Sequence, residues 1–136
     1  MKRLILVKPS KEYIDEIRAY QQEFIEDGGH FNLLVRDGEH RVLGMINFRH
    51  YLNDYLEEYA GHIGYGVRPS ERRKGYAKTM LKLCLEKCRE HGLDKVLITC
   101  DEDNEASRRT ILACGGLFNR YAIEGNKRLE RYWIRI

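Results

Sequence analysis

Three cations crowd one short stretch of the chain. Arg72, Arg73 and Lys74 stand directly before Gly75, and from Gly75 onward GYAKTMLKLC reads as an amphipathic helix. The first turn of a helix points unpaired N–H groups outward and carries partial positive charge, so an exposed cation there costs about 0.3–1 kcal/mol. Gly75 adds up to about 1 kcal/mol relative to Ala if it lies within the turn. An anion at this spot reverses the sign. It accepts from the free N–H groups, the helix dipole favours it, and the missing side chain of Gly75 lets it approach the main chain. The chemistry implied is recognition of a phosphate or pyrophosphate by backbone amides, with Arg72, Arg73 and Lys74 neutralising its charge. The competing reading is a solvated basic loop.

Other residues could move protons. His62 opens the strand-like run HIGYGV (62–67) and has an intrinsic pKa suited to a base. Glu57 and Glu58, in the acidic connector YLNDYLEEYAG (51–61), compete with it. The plainer readings are a strand-end His and a solvated acidic loop. Asp54, Glu57 and Glu58 beside Tyr51, Tyr55 and Tyr59 would suit a cationic amine by charge and cation–π contact, although aromatic packing under the loop explains them equally well. Cys84 and Cys88 share one helix face and Cys100 ends an apolar run. These and Cys114 read as buried reduced thiols, and without close CxxC pairs or a neighbouring His no metal site is expected.

The elements that must position these residues follow from length and pattern. With 136 residues, 43% of them apolar and 33% charged, the chain suits one domain, 1–136, around one core. The 24 basic residues are interspersed with 21 acidic ones. A net charge of +3 therefore permits an anionic ligand without a basic stripe for nucleic acid. No apolar run approaches a membrane span and MKRLILVKPS is too short for a signal peptide, which predicts a cytoplasmic protein. RLILVK (3–8) reads as a strand, and Ser10 caps a helix to about Glu26 with Tyr13, Ile14, Ile17, Tyr20, Phe24 and Ile25 on one face. Two apolar runs around Asp37-Gly38 predict a hairpin, and 62–67 a strand.

The helix after Gly75 turns Ala77, Met80, Leu81, Cys84, Leu85 and Cys88 inward and closes at His91-Gly92. KVLITC (95–100) is apolar on both faces, as a central strand should be. DEDNEASRRTILACGG holds a second capped helix, and 117–124 with 128–136 form a last hairpin at Gly125-Asn126. The strand–helix–strand unit in the middle is a right-handed parallel crossover. The expected fold is a mixed, mostly antiparallel α/β sheet with a central parallel βαβ unit and helices on both faces.

VRPSERRKGYA resembles the acyl-CoA-binding motif of the GNAT superfamily of N-acyltransferases: Arg or Gln, two residues, Gly, one residue, then Gly or Ala, after a strand ending in an apolar residue. It falls on Arg72, Arg73, Lys74, Gly75, Tyr76 and Ala77, with Val67 ending the strand. DNEASRRTILACGG is similar to the family's Asn-bearing helix after the fifth strand, and the element order fits nearly the whole chain. The resemblance implies acetyl-CoA as cofactor, with its pantetheine arm in an opening between the fourth and fifth strands, against the backbone around Tyr65, Gly66 and Val67. The pyrophosphate would lie on the amides of residues 73 to 78, including Lys78, and Asn104 and Ser107 would approach the arm. Asn104 also suits a helix N-cap.

The implied reaction is direct attack of an amine on the thioester. It needs a base, for which His62 and Glu58 remain the candidates, and an oxyanion donor, for which the N–H near Val67 is the candidate. Two departures stand out. The family's usual acid is a Tyr seven residues after the motif's Asn, and here that residue is Ile111; Tyr121 is a speculative substitute. Many relatives also place two helices between the first two strands, where only one fits. The expected partners are a small-molecule or peptide amine and, as a candidate, a second copy of the chain, with neither nucleic acid nor membrane. An acyl-CoA-binding sensor without catalysis is the alternative, and a nucleic-acid module the third.

Overall fold

Strands of alternating or continuous apolar residues pair into one seven-stranded sheet. They are β1 (Leu4–Val7), β2 (Phe31–Arg36), β3 (Gly44–Phe48), β4 (Ile63–Val67), β5 (Lys95–Asp101), β6 (Leu117–Glu124) and β7 (Lys127–Arg135), in the order β1-β2-β3-β4-β5-β7-β6. Two helices, α1 (Tyr76–Glu90) and α2 (Glu105–Ala113), follow β4 and β5. The computed structural model describes residues 2–10, 13 and 31–136. The helix expected from Ser10 to about Glu26, and the number of helices between β1 and β2, lie outside the described residues apart from Ser10 and Tyr13. Every strand pair is antiparallel except β4–β5, the parallel pair joined by α1.

The 3.6-residue spacing on α1 buries Met80, Leu81, Cys84, Leu85 and Cys88, while Ala77 is half-buried. With Ile111 of α2 these side chains pack on Leu34, Ile46, Ile63, Ile98 and Ile134, and each full burial contributes about 1.5–3 kcal/mol. α1 and α2 thus share one face of the sheet. On the other face Tyr13, Leu33, Val35, Val42 and Met45 form a second cluster. A π-helical turn, Leu56–Ala60, lies over β5 on that side, where Thr99 Oγ1 donates to the Tyr59 carbonyl at 2.9 Å.

The turn at Asp37-Gly38 does not close a two-residue hairpin. Gly38 has φ +82°, but β3 starts only at Gly44, and β2 pairs there through Leu34↔Gly44. The longer loop allows both Val42 and Leu43 to be fully buried, one on each face of the sheet.

The decisive feature is where β4 and β5 meet. They pair only at Ile63↔Ile98, with a bridge at Gly61↔Ile98. Beyond that point each strand keeps its other neighbour. β4 stays on β3 out to Gly44↔Val67, and β5 stays on β7 out to Asp101↔Leu129. The C-terminal ends of the two parallel strands therefore part.

Candidate active site

Register decides which main-chain groups face the gap. Arg68 N–H donates to the Leu43 carbonyl and Arg49 N–H to the His62 carbonyl, at 2.8 and 2.7 Å. With the β3–β4 register, these bonds direct the peptide groups of Gly64 and Gly66 to β3 and those of Tyr65 and Val67 into the gap. Gly66, expected among the backbone contacts, therefore offers a bare surface instead: a Cβ there would meet nothing within 4 Å. The Val67 carbonyl accepts from Arg72 Nε at 3.2 Å, while its N–H points into the gap.

The gap opens into a cleft of about 330 Å³. One wall is Ile63, Gly64 and Tyr65 of β4. The other is Thr99, Cys100 and Asp101 of β5, continued by Asn104 and Ser107 at the start of α2. Arg49, Tyr59 and Ala60 close it on the connector side, and Glu124, Lys127 and Leu129 on the side of the β6–β7 hairpin. Asn104 caps α2 as expected, its Oδ1 accepting from Ser107 N–H at 3.1 Å. Ser107 Oγ lies 2.7 Å from the Tyr65 hydroxyl. Burial raises the Tyr65 phenol above its ordinary value.

At the neighbouring mouth of α1, Gly75 is the N-cap, left-handed at φ +80°, ψ +10°, with no side-chain cap and no acid in the first turn. Arg73 is also left-handed, at φ +65°, and space is open in front of Gly75. The first helical bond runs from Thr79 N–H to the Gly75 carbonyl, so the N–H groups of Tyr76, Ala77 and Lys78 have no acceptor within the helix. This is an amide cradle for an anion.

The three cations divide their work. Arg72 folds onto Val67, and Lys74 Nζ pairs with Glu71 at 3.2 Å. Glu71 is buried, and the Lys74 hydrogen bond, aided by Arg41, holds its carboxyl below the usual range. Neither Arg72 nor Arg73 has an ion-pair partner among the described residues. The Tyr76 ring is bound by Arg36, whose guanidinium donates to its hydroxyl and lies 5.7 Å from the ring centroid.

Neither expected base is placed as one. His62 is buried, and its Nδ1 accepts from Leu97 N–H at 2.9 Å while its main-chain N–H donates to the Leu97 carbonyl at 2.7 Å. The imidazole thus replaces a ladder carbonyl between β4 and β5. That bond occupies the basic nitrogen and fixes the neutral tautomer with the proton on Nε2. Burial lowers the His62 pKa below 6.5. The unfolded chain therefore takes the proton more readily, so this contribution to stability is present above about pH 6.5 and is lost on acidification below it. Urea titrations of the wild type should show stability falling as the pH drops below about 6.5, and His62→Gln should flatten that slope. An unchanged slope would assign it to other groups.

Glu58 is held in a fork by Arg120, with Oε1 and Oε2 at 2.8 and 2.7 Å from Nη1 and Nη2. Those hydrogen bonds hold its carboxyl below the usual range, which makes it a weak base and a clamp between the connector and β6. The cleft-lining carboxylates are instead Asp101, 3.9 Å from Lys127, and Glu124, whose Oε2 accepts from Tyr55 at 2.5 Å. Cys100 also lines the cleft, but burial, with Glu130 beside it, pushes its thiol up to about 12. It is inert as a nucleophile. Among the described residues no cluster of three His, Cys, Asp or Glu could hold a metal, and no helix is long and apolar enough to cross a membrane.

Splayed parallel strands with an amide cradle beside them define an acyltransferase-like site, and comparison with known proteins agrees. The model of the acetyltransferase (GNAT) family matches residues 3–115, and the chain belongs to that family. Solved structures with the same fold include the GNAT-family acetyltransferase from Bacillus anthracis, at 23% identity and TM-score 0.74, covering 98% of this chain and 95% of that one. The Microcin C7 self-immunity acetyltransferase MccE, solved with acetyl-CoA and AMP, shares 17% identity at TM-score 0.74, covering 98% and 92%. Ribosomal-protein-S5-alanine acetyltransferase from Vibrio fischeri shares 15% at TM-score 0.70, covering 97% and 91%. No curated protein matches the sequence significantly.

Proposed function

We propose that the protein transfers an acetyl group from acetyl-CoA to a primary amine of a small molecule or peptide, by direct attack while both are bound. The observation that carries this reading is the gap itself. Tyr65 and Val67 turn their peptide groups into it and β5 does not pair with them, so an extended amide-bearing arm fits there as a short added strand. The amide cradle at 73–78 lies on the same side and suits the diphosphate at the arm's other end. Asn104 and Ser107 face the arm from α2.

Within this site the N–H groups that β4 turns into the gap, at Tyr65 and Val67, are the donors for the carbonyl oxygen as it becomes an oxyanion. Holding the amine beside the thioester supplies much of the acceleration, about 7–11 kcal/mol in favourable cases. Glu124 and Asp101 hold the incoming ammonium, and one of them takes its proton through water. Tyr59, tilted at 50° against Tyr55 with centroids 5.2 Å apart, offers a cationic acceptor a ring face. The inert thiol of Cys100 supports direct transfer over an acyl-cysteine intermediate. The four free cysteines suit the reducing cytoplasm.

The test is release of CoA thiol over a panel of polyamines, aminoglycosides, amino acids and basic peptides. Initial rates with the best acceptor should give intersecting double-reciprocal lines, and parallel lines would overturn direct transfer. Glu124→Gln should raise the acceptor KM about tenfold and leave the acetyl-CoA KM unchanged. An acceptor KM that does not move would remove Glu124 from the acceptor site. A binding domain without catalysis remains the second reading, because the residue in the place of the family's acid is Ile111, fully buried in the core. It prevails if acetyl-CoA raises the melting temperature and no amine accelerates thiol release.

A further inference from the structure

Breaking a thioester C–S bond leaves a thiolate, and a proton donor held beside the sulfur eases its departure. Two phenols line the cleft, Tyr59 and Tyr65. Tyr59 belongs to the connector on the sheet face away from α1 and α2, where its carbonyl is bound by Thr99. Tyr65 projects to the opposite face, the one that carries α1, α2 and the amide cradle. Its hydroxyl reaches from β4 to α2 and lies 2.7 Å from Ser107 Oγ.

We propose that Tyr65 is the catalytic acid of the reaction, donating its phenolic hydrogen to the departing sulfur. The assignment rests on the acetyl-transfer reading above. The amine lone pair forms the new C–N bond and the C–S electron pair goes to sulfur, which accepts the proton of Tyr65 Oη. The proton shed by nitrogen restores the phenol, so the products are the amide and a free thiol and Tyr65 is unchanged. Ser107 Oγ–H can donate to Tyr65 Oη and so support the transient phenolate, while the phenol's own hydrogen, held only by the Ser107 carbonyl at 3.5 Å, can turn to the sulfur. Burial raises the phenol above its ordinary value and so keeps it protonated at neutral pH.

Ile111 explains why the hydroxyl comes from a strand. Its side chain faces inward, so close to Gly116 that a Cβ there would lie 2.5 Å from its Cγ2. α2 therefore directs this position to the core, and the phenol enters from the opposite wall one helical turn earlier, at Ser107.

The test uses acetyl-CoA with hydroxylamine, a small nucleophile that needs no acceptor pocket, measured above the uncatalysed rate. Tyr65→Phe should bind CoA with the wild-type shift in melting temperature yet release thiol roughly ten- to a hundredfold more slowly. Difluorotyrosine at position 65, a more acidic phenol of the same shape, should restore the rate and move the alkaline limb of the pH–rate profile to lower pH. An active wild type with an unimpaired Tyr65→Phe, or an unmoved limb with difluorotyrosine, overturns the assignment to Tyr65 alone. A wild type that binds acetyl-CoA and releases no thiol with hydroxylamine or any amine overturns the acetyl-transfer reading, and this assignment with it.

Discussion

Gly75→Glu should weaken acetyl-CoA binding about a thousandfold and cost the fold no more than about 1–2 kcal/mol. Two independent terms add. A non-glycine residue at φ +80° costs about 1–2 kcal/mol, and that strain loosens the turn that aims the amides. A carboxylate about 5 Å from a phosphate charge adds roughly 3 kcal/mol of repulsion at an effective dielectric constant near 20. Together these are near 4 kcal/mol, or about three decades in Kd. The fold survives because a Cβ at Gly75 meets nothing within 4 Å. Titration calorimetry with acetyl-CoA reads the first expectation and thermal unfolding without ligand the second. Gly75→Ala separates the terms, since it keeps the strain and omits the charge. Raising the salt concentration should recover part of the loss in Gly75→Glu and none in Gly75→Ala. Wild-type affinity in the glutamate variant would move the diphosphate away from the mouth of α1.

Gly75 illustrates what a sequence makes legible. A left-handed cap and a cluster of cations break local rules of helix formation, and a broken rule is visible without a neighbour. The core face of α1 is legible for the same reason, because Met80, Leu81, Cys84, Leu85 and Cys88 repeat at helical spacing on one segment. Asn104 shows itself through its distance from the apolar residues it precedes. The charges are different. Glu71 and Glu130 look solvated in the sequence, yet both are buried. Glu130 is bound by Arg108 Nε at 2.8 Å and by the Tyr132 hydroxyl at 3.0 Å. Burial alone would raise its pKa, but those hydrogen bonds prevail and hold it low. Arg108 lies 22 residues earlier, on another element, so nothing local announces the pair. Arg120 is 62 residues from Glu58. Glu124 and Lys127 reach the cleft only because β6 and β7 fold back beside β5. His62 carries the same lesson further: its residue type suggests a base, but the direction of one lone pair makes it a strand clamp, and that direction exists only once β4 and β5 have met.

The clamp depends on the glycine before it, and Gly61→Ala should be more destabilising than a methyl added at Gly64 or Gly66. Gly61 has φ +73° and ψ −169°, a region that is nearly glycine-only and costs other residues about 1–3 kcal/mol. A Cβ there would lie 2.4 Å from the Leu97 carbonyl oxygen and 2.9 Å from its carbon. Backbone cannot step aside as a side chain can, so β4 and β5 must separate where they are joined. The same Leu97 carbonyl accepts from His62 N–H, and Leu97 N–H donates to His62 Nδ1. Separation loses both hydrogen bonds at about 1 kcal/mol each. It also loosens the Arg49 guanidinium, which holds the Gly61 carbonyl at 3.1 Å. The sum is about 3–5 kcal/mol, a large share of the 5–15 kcal/mol typical of a domain. Gly66→Ala is the control, since the position lies within β4 at negative φ with open space beside it, and its stability should stay within about 0.5 kcal/mol of wild type. Urea denaturation of both variants distinguishes them. If Gly61→Ala unfolds at the wild-type midpoint, the strands are not held at Gly61 and Ile98, and the gap beyond them loses its hinge. If it folds but is weakened as expected, acetyl-CoA should restore part of the lost stability in proportion to its binding, because an arm laid along Tyr65 and Val67 bridges the separated strands from the other side.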